Sequence, residues 1–175
     1  MALRRIIKFP DPLLKQRSSE VTTFDEALKT LVTDMAETMY TAPGVGLAAV
    51  QIGVLKRILV LDAHSGDAEG ELEVFINPVI VSGEGDITWD EGCLSLPDFS
   101  EQIKRKKHIK VRFQDVTGAF QEKEMDEFRA VILQHELDHL DGVLATDRIS
   151  RLKKILYQRK RTREAKAEAE EEASA

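Results

Sequence analysis

The most informative stretch of this chain is Gln134-His-Glu-Leu-Asp-His139, which contains the pattern His-Glu-x-x-His. On an α-helix, His135 and His139 lie one turn apart on the same face, so their imidazoles can share one metal ion. Glu136, beside the first histidine, is placed to act as a general base on water activated at that ion. An exposed helix can carry the same pattern by chance. The interpretation therefore depends on whether the chain supplies a third ligand.

The segment around this motif has helical periodicity. Phe128, Val131 and Ile132 fall on the same face as the two histidines. The histidines are therefore predicted to point into the protein with the apolar residues, and not into solvent. Asp141-Gly142 is predicted to end the helix.

Elsewhere the sequence predicts one more helix and several short strands. The helix covers Thr23–Tyr40, where Thr23 and Glu26 have capping-box spacing. From residue 151 a charged helix is expected, fraying into a disordered tail. Strands are predicted at 57–62, 72–77 (ended by Pro78), 79–81, 110–115 and 119–125, with a turn at 82–85.

Composition limits the class of protein. A chain of 175 residues can bury the core of one domain without disulfides. Cys93 is the one cysteine, which suits a reducing compartment, and the net charge of -6 argues against DNA as a partner. The N-terminal segment lacks the apolar core of a signal peptide, and no stretch is long and apolar enough to span a membrane. We therefore expect a cytoplasmic protein.

The third metal ligand has several candidates. Catalytic zinc sites use three protein ligands and leave one position open. The segment from His135 resembles the metzincin pattern as far as Gly142, but Ala145 stands at its third histidine, and no Glu or His lies between 139 and 164. A thiolate binds soft and borderline metals strongly, which favours the cysteine, although a lone cysteine is more often a buried apolar residue. The upstream candidates are Cys93, His64, His108 and several carboxylates.

Three segments together resemble the peptide deformylase family. They are Gly44-Val-Gly-Leu-Ala-Ala-Val-Gln-Ile52, Glu91-Gly-Cys-Leu-Ser95 and Gln134–His139, in the family's order, and the resemblance runs from Ile6 to Arg151. It implies an α+β fold, with small antiparallel sheets packed around a central helix that carries the His-Glu-x-x-His motif, plus a C-terminal helix. It also implies a metal-dependent hydrolase that removes the formyl group from the N-terminal formylmethionine of new polypeptides and releases formate.

The resemblance also implies the metal site. Cys93, His135 and His139 would hold one divalent ion, with Glu136 as the general base. The family points to Fe²⁺ in the cell, although the usual affinity order ranks Zn²⁺ above it, and Ni²⁺ or Co²⁺ are further alternatives.

Other site residues follow from the same resemblance. The side-chain amide of Gln51 and the backbone N–H of Leu94 would stabilise the developing oxyanion. Gly46 would pair with the substrate backbone as an added strand. The positions that match the methionine pocket, for which plain core packing is the alternative, are Val45, Trp89 and Val131.

Two further residues and two departures from the family pattern concern the surroundings of this site. Glu91 and Arg105 would orient the metal ligands. The family often has a glycine or an arginine shortly after Pro97, where this chain has Asp98–Gln102. The family also often has Asp-Gly before the metal helix, where this chain has Glu127 after an aspartate, so the start of that helix is expected to differ.

The charged C-terminal region is predicted to be separate from a catalytic domain formed by residues 1–150. Arg151–Arg163 holds seven basic and no acidic residues, whereas 164–175 holds five glutamates and one lysine. The basic stretch is either a solvated helix or a contact with ribosomal RNA near the N-formylmethionyl substrate. Two rival functions remain at this point: a zinc endopeptidase, and a non-catalytic metal-binding or ribosome-associated protein.

Overall fold

The computed structural model describes residues 2–175. It contains three α-helices and five strands, with single 3₁₀ turns at Pro12–Lys15, Ala49–Ile52 and Ala145–Arg148. The helices are α1 (Glu26–Thr41), α2 (Glu127–Leu140) and α3 (Arg151–Ser174). The strands are β1 (Gly46–Ala48), β2 (Ile58–Leu61), β3 (Glu73–Cys93), β4 (Leu96–Gln114) and β5 (Phe120–Asp126).

All five strands belong to one antiparallel sheet, in the order β1-β2-β3-β4-β5. Helices pack against this sheet. Helix α2 directly follows β5 and contacts all five strands. The predicted α+β class is therefore confirmed, with the strands joined in a single sheet where several small ones were expected. Within residues 2–175, no helix is both long and apolar enough to span a bilayer.

The start of α1 lies later than predicted. The helix begins at Glu26, and its N-cap is Asp25, whose carboxylate accepts a hydrogen bond of 3.0 Å from the backbone N–H of Leu28. An aspartate caps a helix at least as well as a threonine, so the capping-box spacing from Thr23 was misleading. The apolar stripe is confirmed, and Met35 and Met39 are fully buried in the core.

The second predicted strand does not end at Pro78, and the predicted turn at 82–85 is wrong. Strand β3 continues to Cys93, with a register shift between Ile76 and Val79 that takes Pro78 out of the regular ladder. A bulge is where a strand tolerates a proline, because the missing N–H then breaks no ladder hydrogen bond. In the segment expected to turn, Glu84 pairs with His108 of β4.

The long β3–β4 hairpin places the cysteine at its tip. Cys93 is the last residue of β3 and pairs with Leu96, the first of β4, so that Leu94 and Ser95 form the connection. Gly142 ends the motif helix as predicted, with φ +74°, and a Cβ there would overlap the carbonyl oxygen of Lys15. The end of the helix is thus held by close packing against the segment that contains Lys15.

The C-terminal helix packs on the body through its first half. The Tyr157 hydroxyl donates to the Pro97 carbonyl at 2.8 Å, and its ring meets Phe99 edge-on at 5.4 Å between centroids. Arg161 is buried, with Nη1 lying 3.1 Å from Glu168. The expected fraying into a disordered tail is not seen, since α3 runs without a break to Ser174.

Candidate metal centre and active site

Three donor side chains converge between the hairpin tip and α2. The Cys93 Sγ lies 3.3 Å from His139 Nε2, which lies 3.2 Å from His135 Nε2. All three donor atoms fall within 4.8 Å of one another. The helix provides the two imidazoles from one face, and the two-residue connection of the hairpin brings the sulfur to them from more than 40 residues away in the chain.

This arrangement fits a divalent ion. Donor atoms bound to one tetrahedral zinc by bonds of about 2.0–2.3 Å lie about 3.3–3.6 Å apart. The shortest observed separations, 3.2 and 3.3 Å, are close to that spacing. Burial lowers the pKa of His139 well below its usual value, so its imidazole stays neutral and can act as a ligand.

The other histidine is held by a carboxylate. His135 Nδ1 lies 2.8 Å from Glu91 Oε1, which leaves Nε2 directed at the other two donors. Burial opposes a charge on His135, but Cys93 and Glu91 together raise its pKa well above the usual value. A divalent ion would displace the resulting proton, because a histidine ligand must be neutral.

Glu136 lies beside the donor set. Its side chain is buried, and within residues 2–175 its Oε2 has no hydrogen-bond partner. Burial raises the pKa of Glu136 to about 7. A carboxyl group with such a pKa can both accept and release a proton near neutral pH.

Gly46 allows β1 to pass directly over this carboxylate. A Cβ at this position would lie 2.8 Å from Ile132 Cγ2 and 2.9 Å from Glu136 Oε1. Such distances are too short for ordinary contacts, so any larger residue would displace the glutamate or the strand. β1 pairs on one side with β2 and ends the sheet on the other, which leaves an edge that an extended peptide can join.

Gln51 is buried with its amide group directed at the cysteine. Its Oε1 accepts the Ala48 N–H at 2.8 Å, and this bond fixes the orientation of the amide. Its Nε2 lies 3.1 Å from Ser95 Oγ and 3.8 Å from Cys93 Sγ. Ser95 is fully buried, and it was not predicted as a site residue. Its position two residues after Cys93, within the same motif, could have indicated that it lies at the site.

A cavity of about 460 Å³ opens onto Glu136 and the hairpin tip. The four residues predicted to bind substrate all line it: Val45, Gly46, Trp89 and Val131. Leu94, the residue expected to supply a backbone donor, lines it too. Phe128 was missed as a pocket residue, and its ring stacks on Trp89 at 5.0 Å between centroids. Its position three residues before Val131 on one helix face was the available signal.

The other candidates for third ligand lie elsewhere. His64 is exposed in the loop after β2, and His108 is bonded to Asp126 at the β4–β5 pairing. Glu91 and Arg105 are both buried, and Arg105 Nε and Nη2 donate to Glu91 at 2.9 and 2.8 Å. Burial raises the pKa of Glu91, but hydrogen bonds from Arg105 and His135 outweigh this effect and lower it.

Both departures from the family pattern have a structural consequence. Asp98–Gln102 is not a loop but part of β4, and within it Phe99 is buried against Tyr157 of α3, so this part of the strand helps to hold the C-terminal helix. Glu127 begins α2 with φ +51°, a left-handed conformation that glycine adopts without strain. The helix therefore begins on a strained residue.

Comparison with known proteins agrees with this geometry. A sequence profile of the family described as polypeptide deformylase matches residues 3–155. The peptide deformylase of Rhizobium meliloti is 47% identical over 167 residues, covering 95% of this chain and 96% of the relative. That of Zymomonas mobilis is 44% identical over 171 residues, covering 95% of this chain and 97% of the relative.

Solved structures show the same fold. The crystal structure of a peptide deformylase from Legionella pneumophila has a TM-score of 0.88 at 40% identity, over 96% of this chain and 98% of that one. A peptide deformylase from Ehrlichia chaffeensis, in complex with actinonin, has a TM-score of 0.88 at 36% identity, over 94% and 98%. The chain described here belongs to the peptide deformylase family.

Proposed function

We propose that Cys93, His135 and His139 hold one divalent metal ion, and that Glu136 is the general base for the reaction of the family. That reaction is hydrolysis of the formyl group of an N-terminal formylmethionine, which yields formate and a free amine. The observation that carries the proposal is the convergence of three metal-binding atoms beside a buried carboxylate at the cavity wall. A bound divalent ion supplies Lewis acidity, which polarises a carbonyl and lowers the pKa of water.

Proton transfer falls to Glu136. It takes the proton of the attacking water as the new C–O bond forms at the formyl carbon. When the C–N bond breaks, it delivers that proton to the departing amine, so the carboxylate is regenerated. The raised pKa, about 7, suits a group that must accept and donate in one cycle.

Gln51 and Leu94 stabilise the negative charge that develops on the formyl oxygen. The Gln51 amide is held in place by the Ala48 N–H, so it does not have to reorient when the charge appears. The Leu94 backbone N–H is the second donor. Gly46 pairs with the peptide backbone, and the methionine side chain occupies the apolar part of the cavity between Val45, Trp89 and Val131.

Release of formate from a formylmethionyl tripeptide tests this function. We expect release by the purified chain, loss on treatment with a chelator, and recovery when metal is restored. Glu136→Ala should lower the rate by about 10²–10⁴-fold, as expected for removal of a general base, with metal content unchanged. Cys93→Ser should lose the metal. Retention of metal by Cys93→Ser would favour the endopeptidase alternative, and full activity of Glu136→Ala would exclude this mechanism.

For the identity of the ion we propose Fe²⁺ in the cell. The thiolate ligand supports an ion of borderline softness, and the family resemblance points to iron, whereas intrinsic affinity ranks Zn²⁺ above Fe²⁺. Elemental analysis of protein purified without oxygen tests this assignment. Iron in near-equal amount to protein is expected, and zinc in that amount would contradict it.

We further propose that residues 1–150 form the catalytic unit and that α3 is a partly separate element. We also propose that the reaction takes place in the cytoplasm, where N-formylmethionyl chains are made.

The exposed face of α3 combines Arg151, Arg159 and Arg163 with the exposed apolar residues Leu152 and Leu156. Basic side chains in such a row can bind the phosphates of ribosomal RNA, and we propose that α3 contacts the ribosome through them.

Charge reversal tests the ribosome contact better than truncation at residue 150, which would also remove the partly buried contact of Tyr157 with Pro97. The triple variant Arg151→Glu, Arg159→Glu, Arg163→Glu should lose cosedimentation with ribosomes at low salt. A matched triple at exposed basic residues outside α3, Arg5→Glu, Arg17→Glu and Lys56→Glu, makes the same change in net charge. Equal cosedimentation of the two triples would contradict the proposal.

A further inference from the structure

A row of alternating charges runs from the metal centre to the protein surface. It starts at His135 Nδ1, which lies 2.8 Å from Glu91 Oε1. Glu91 is held in turn by two nitrogens of Arg105, at 2.9 and 2.8 Å. Both charged side chains are almost completely buried, with exposed fractions of 4% and 3%. The orientation of the His135 ring therefore depends on where Arg105 is held.

The row continues through the motif helix itself. Arg105 Nη1 donates to Asp138 Oδ2 at 2.6 Å, and Asp138 stands directly before His139, at a position that the His-Glu-x-x-His pattern leaves open. Arg148 then grips the same carboxylate with two bonds, from Nε to Oδ2 at 2.6 Å and from Nη2 to Oδ1 at 2.8 Å. Asp138 is 12% exposed and Arg148 is 43% exposed, so the row reaches solvent at Arg148.

We propose that Arg148 is a positioning residue for the metal centre, acting through Asp138, Arg105 and Glu91 on His135. This inference rests on the proposed metal site. The two-bond fork fixes the plane of the Asp138 carboxylate, which a single ammonium group cannot do. With Asp138 fixed, Arg105 keeps two nitrogens on Glu91 and one on Asp138, and His135 keeps Nε2 directed at Cys93 and His139.

Charge balance explains why removal of Arg148 would be felt at the metal. The carboxylates of Glu91 and Asp138 are matched by the guanidiniums of Arg105 and Arg148. Without Arg148, two buried carboxylates compete for Arg105, and any shift of Arg105 toward Asp138 weakens its hold on Glu91. Partners of this kind, one step beyond a ligand, commonly change metal affinity by about 10–100-fold.

Arg148 does this without facing the substrate. Together with Arg105 and Asp138 it lines a second cavity of about 470 Å³, which shares none of its described lining residues with the cavity at Glu136. The proposal therefore predicts an effect on metal retention and on kcat, with little change in KM. A loss of substrate binding would instead raise KM, with little change in metal retention or kcat.

Cobalt retention is the direct test, with the full-length chain loaded with Co²⁺ and then challenged with excess chelator. We expect Arg148→Met to lose Co²⁺ about 10-fold faster than the unmodified chain, with a changed Co²⁺ visible absorption spectrum. Arg148→Lys keeps the charge but not the two-bond fork, so its rate of Co²⁺ loss should lie between those of the unmodified chain and Arg148→Met. Arg112→Met is the control, since Arg112 is 56% exposed and also pairs with a carboxylate, Glu122, at 3.1 Å.

The outcomes separate this proposal from the one on which it rests. If the unmodified chain takes up no Co²⁺, the metal site itself is wrong. If the unmodified chain binds Co²⁺ and Arg148→Met releases it no faster than Arg112→Met, with an unchanged spectrum, the positioning role is wrong. Should Arg148→Met fail to fold, Arg148→Lys and Asp138→Asn carry the test, and unaltered Co²⁺ retention in both would overturn the proposal.

Discussion

Helices α2 and α3 are built by opposite means. In α2, nine of 14 residues are buried, including both histidines, Glu136 and Asp138, whereas in the fully described helix α3 only Arg161 of 24 residues is buried. Helix α2 is stabilised by packing against the sheet, and each of its buried charges needs a partner. The second is stabilised locally, by good helix formers, by a Ser150 N-cap and by charge pairs along its surface. Substitutions should therefore affect chemistry in α2 and, for the most part, only stability in α3.

The contact between β1 and α2 offers the strongest test of this difference. We expect Gly46→Ala to lower kcat/KM by about 100-fold, because the new methyl group would displace Glu136 and misplacement of about 1 Å can cost that much. Gly92→Ala is the matched control in the same cavity, since a Cβ there meets only Phe99 O, at 3.5 Å. Steady-state kinetics of the two variants measure the effect. Equal activity would show that the glutamate tolerates displacement.

Tyr157 is an exception to the local stabilisation of α3, because its side chain contacts Pro97 and Phe99 of β4. Tyr157→Ala should lower the free energy of unfolding by about 2 kcal/mol through loss of the partly buried ring. Tyr157→Phe, which loses only the hydrogen bond to Pro97, should cost about 1 kcal/mol. Urea denaturation measures both, with the exposed Leu156→Ala as control. A loss from Leu156→Ala as large as from Tyr157→Ala would mean that α3 packs differently.

Glu127 tests whether α2 begins under strain. Glu127→Gly should raise the free energy of unfolding by about 0.5–1 kcal/mol, because the φ of +51° suits glycine. Glu127→Ala keeps a Cβ in the same conformation and should bring no such gain. Thermal unfolding of the three proteins compares them. A destabilised Glu127→Gly would argue that the side chain contributes more than the strain removes.

The surface of α3 should show the smallest effect. Lys160 lies 3.8 Å from Glu164, one turn along the helix, and both side chains contact solvent. Lys160→Ala should therefore change the free energy of unfolding by less than about 0.5 kcal/mol, and the change should shrink further in high salt. Denaturation at low and high ionic strength checks this. A loss above about 1 kcal/mol would show that this pair stabilises α3 more than an exposed ion pair on a helix normally does.

Much of the fold could be predicted from local patterns. The helical face around His135, the strand before Asp62 and the β4–β5 hairpin at Thr117-Gly118 follow from periodicity and turn residues, which depend on neighbours in the chain. The errors at Pro78 and at 82–85 have a common cause. Both segments carry signals that usually end a strand, and pairing with β4 across a bulge overrode them.

Three properties follow from the sequence alone, because they are read along a single continuous segment. They are the spacing of the two imidazoles on one helix face, the carboxylate beside them, and the lack of a glutamate or histidine between 139 and 164. The tertiary structure was needed to bring Cys93 to within 3.3 Å of His139, to join Glu91 to Asp138 through Arg105 and to place Arg148 against Asp138. These contacts link residues far apart in the chain. They depend on strand register and helix packing, which no local periodicity encodes.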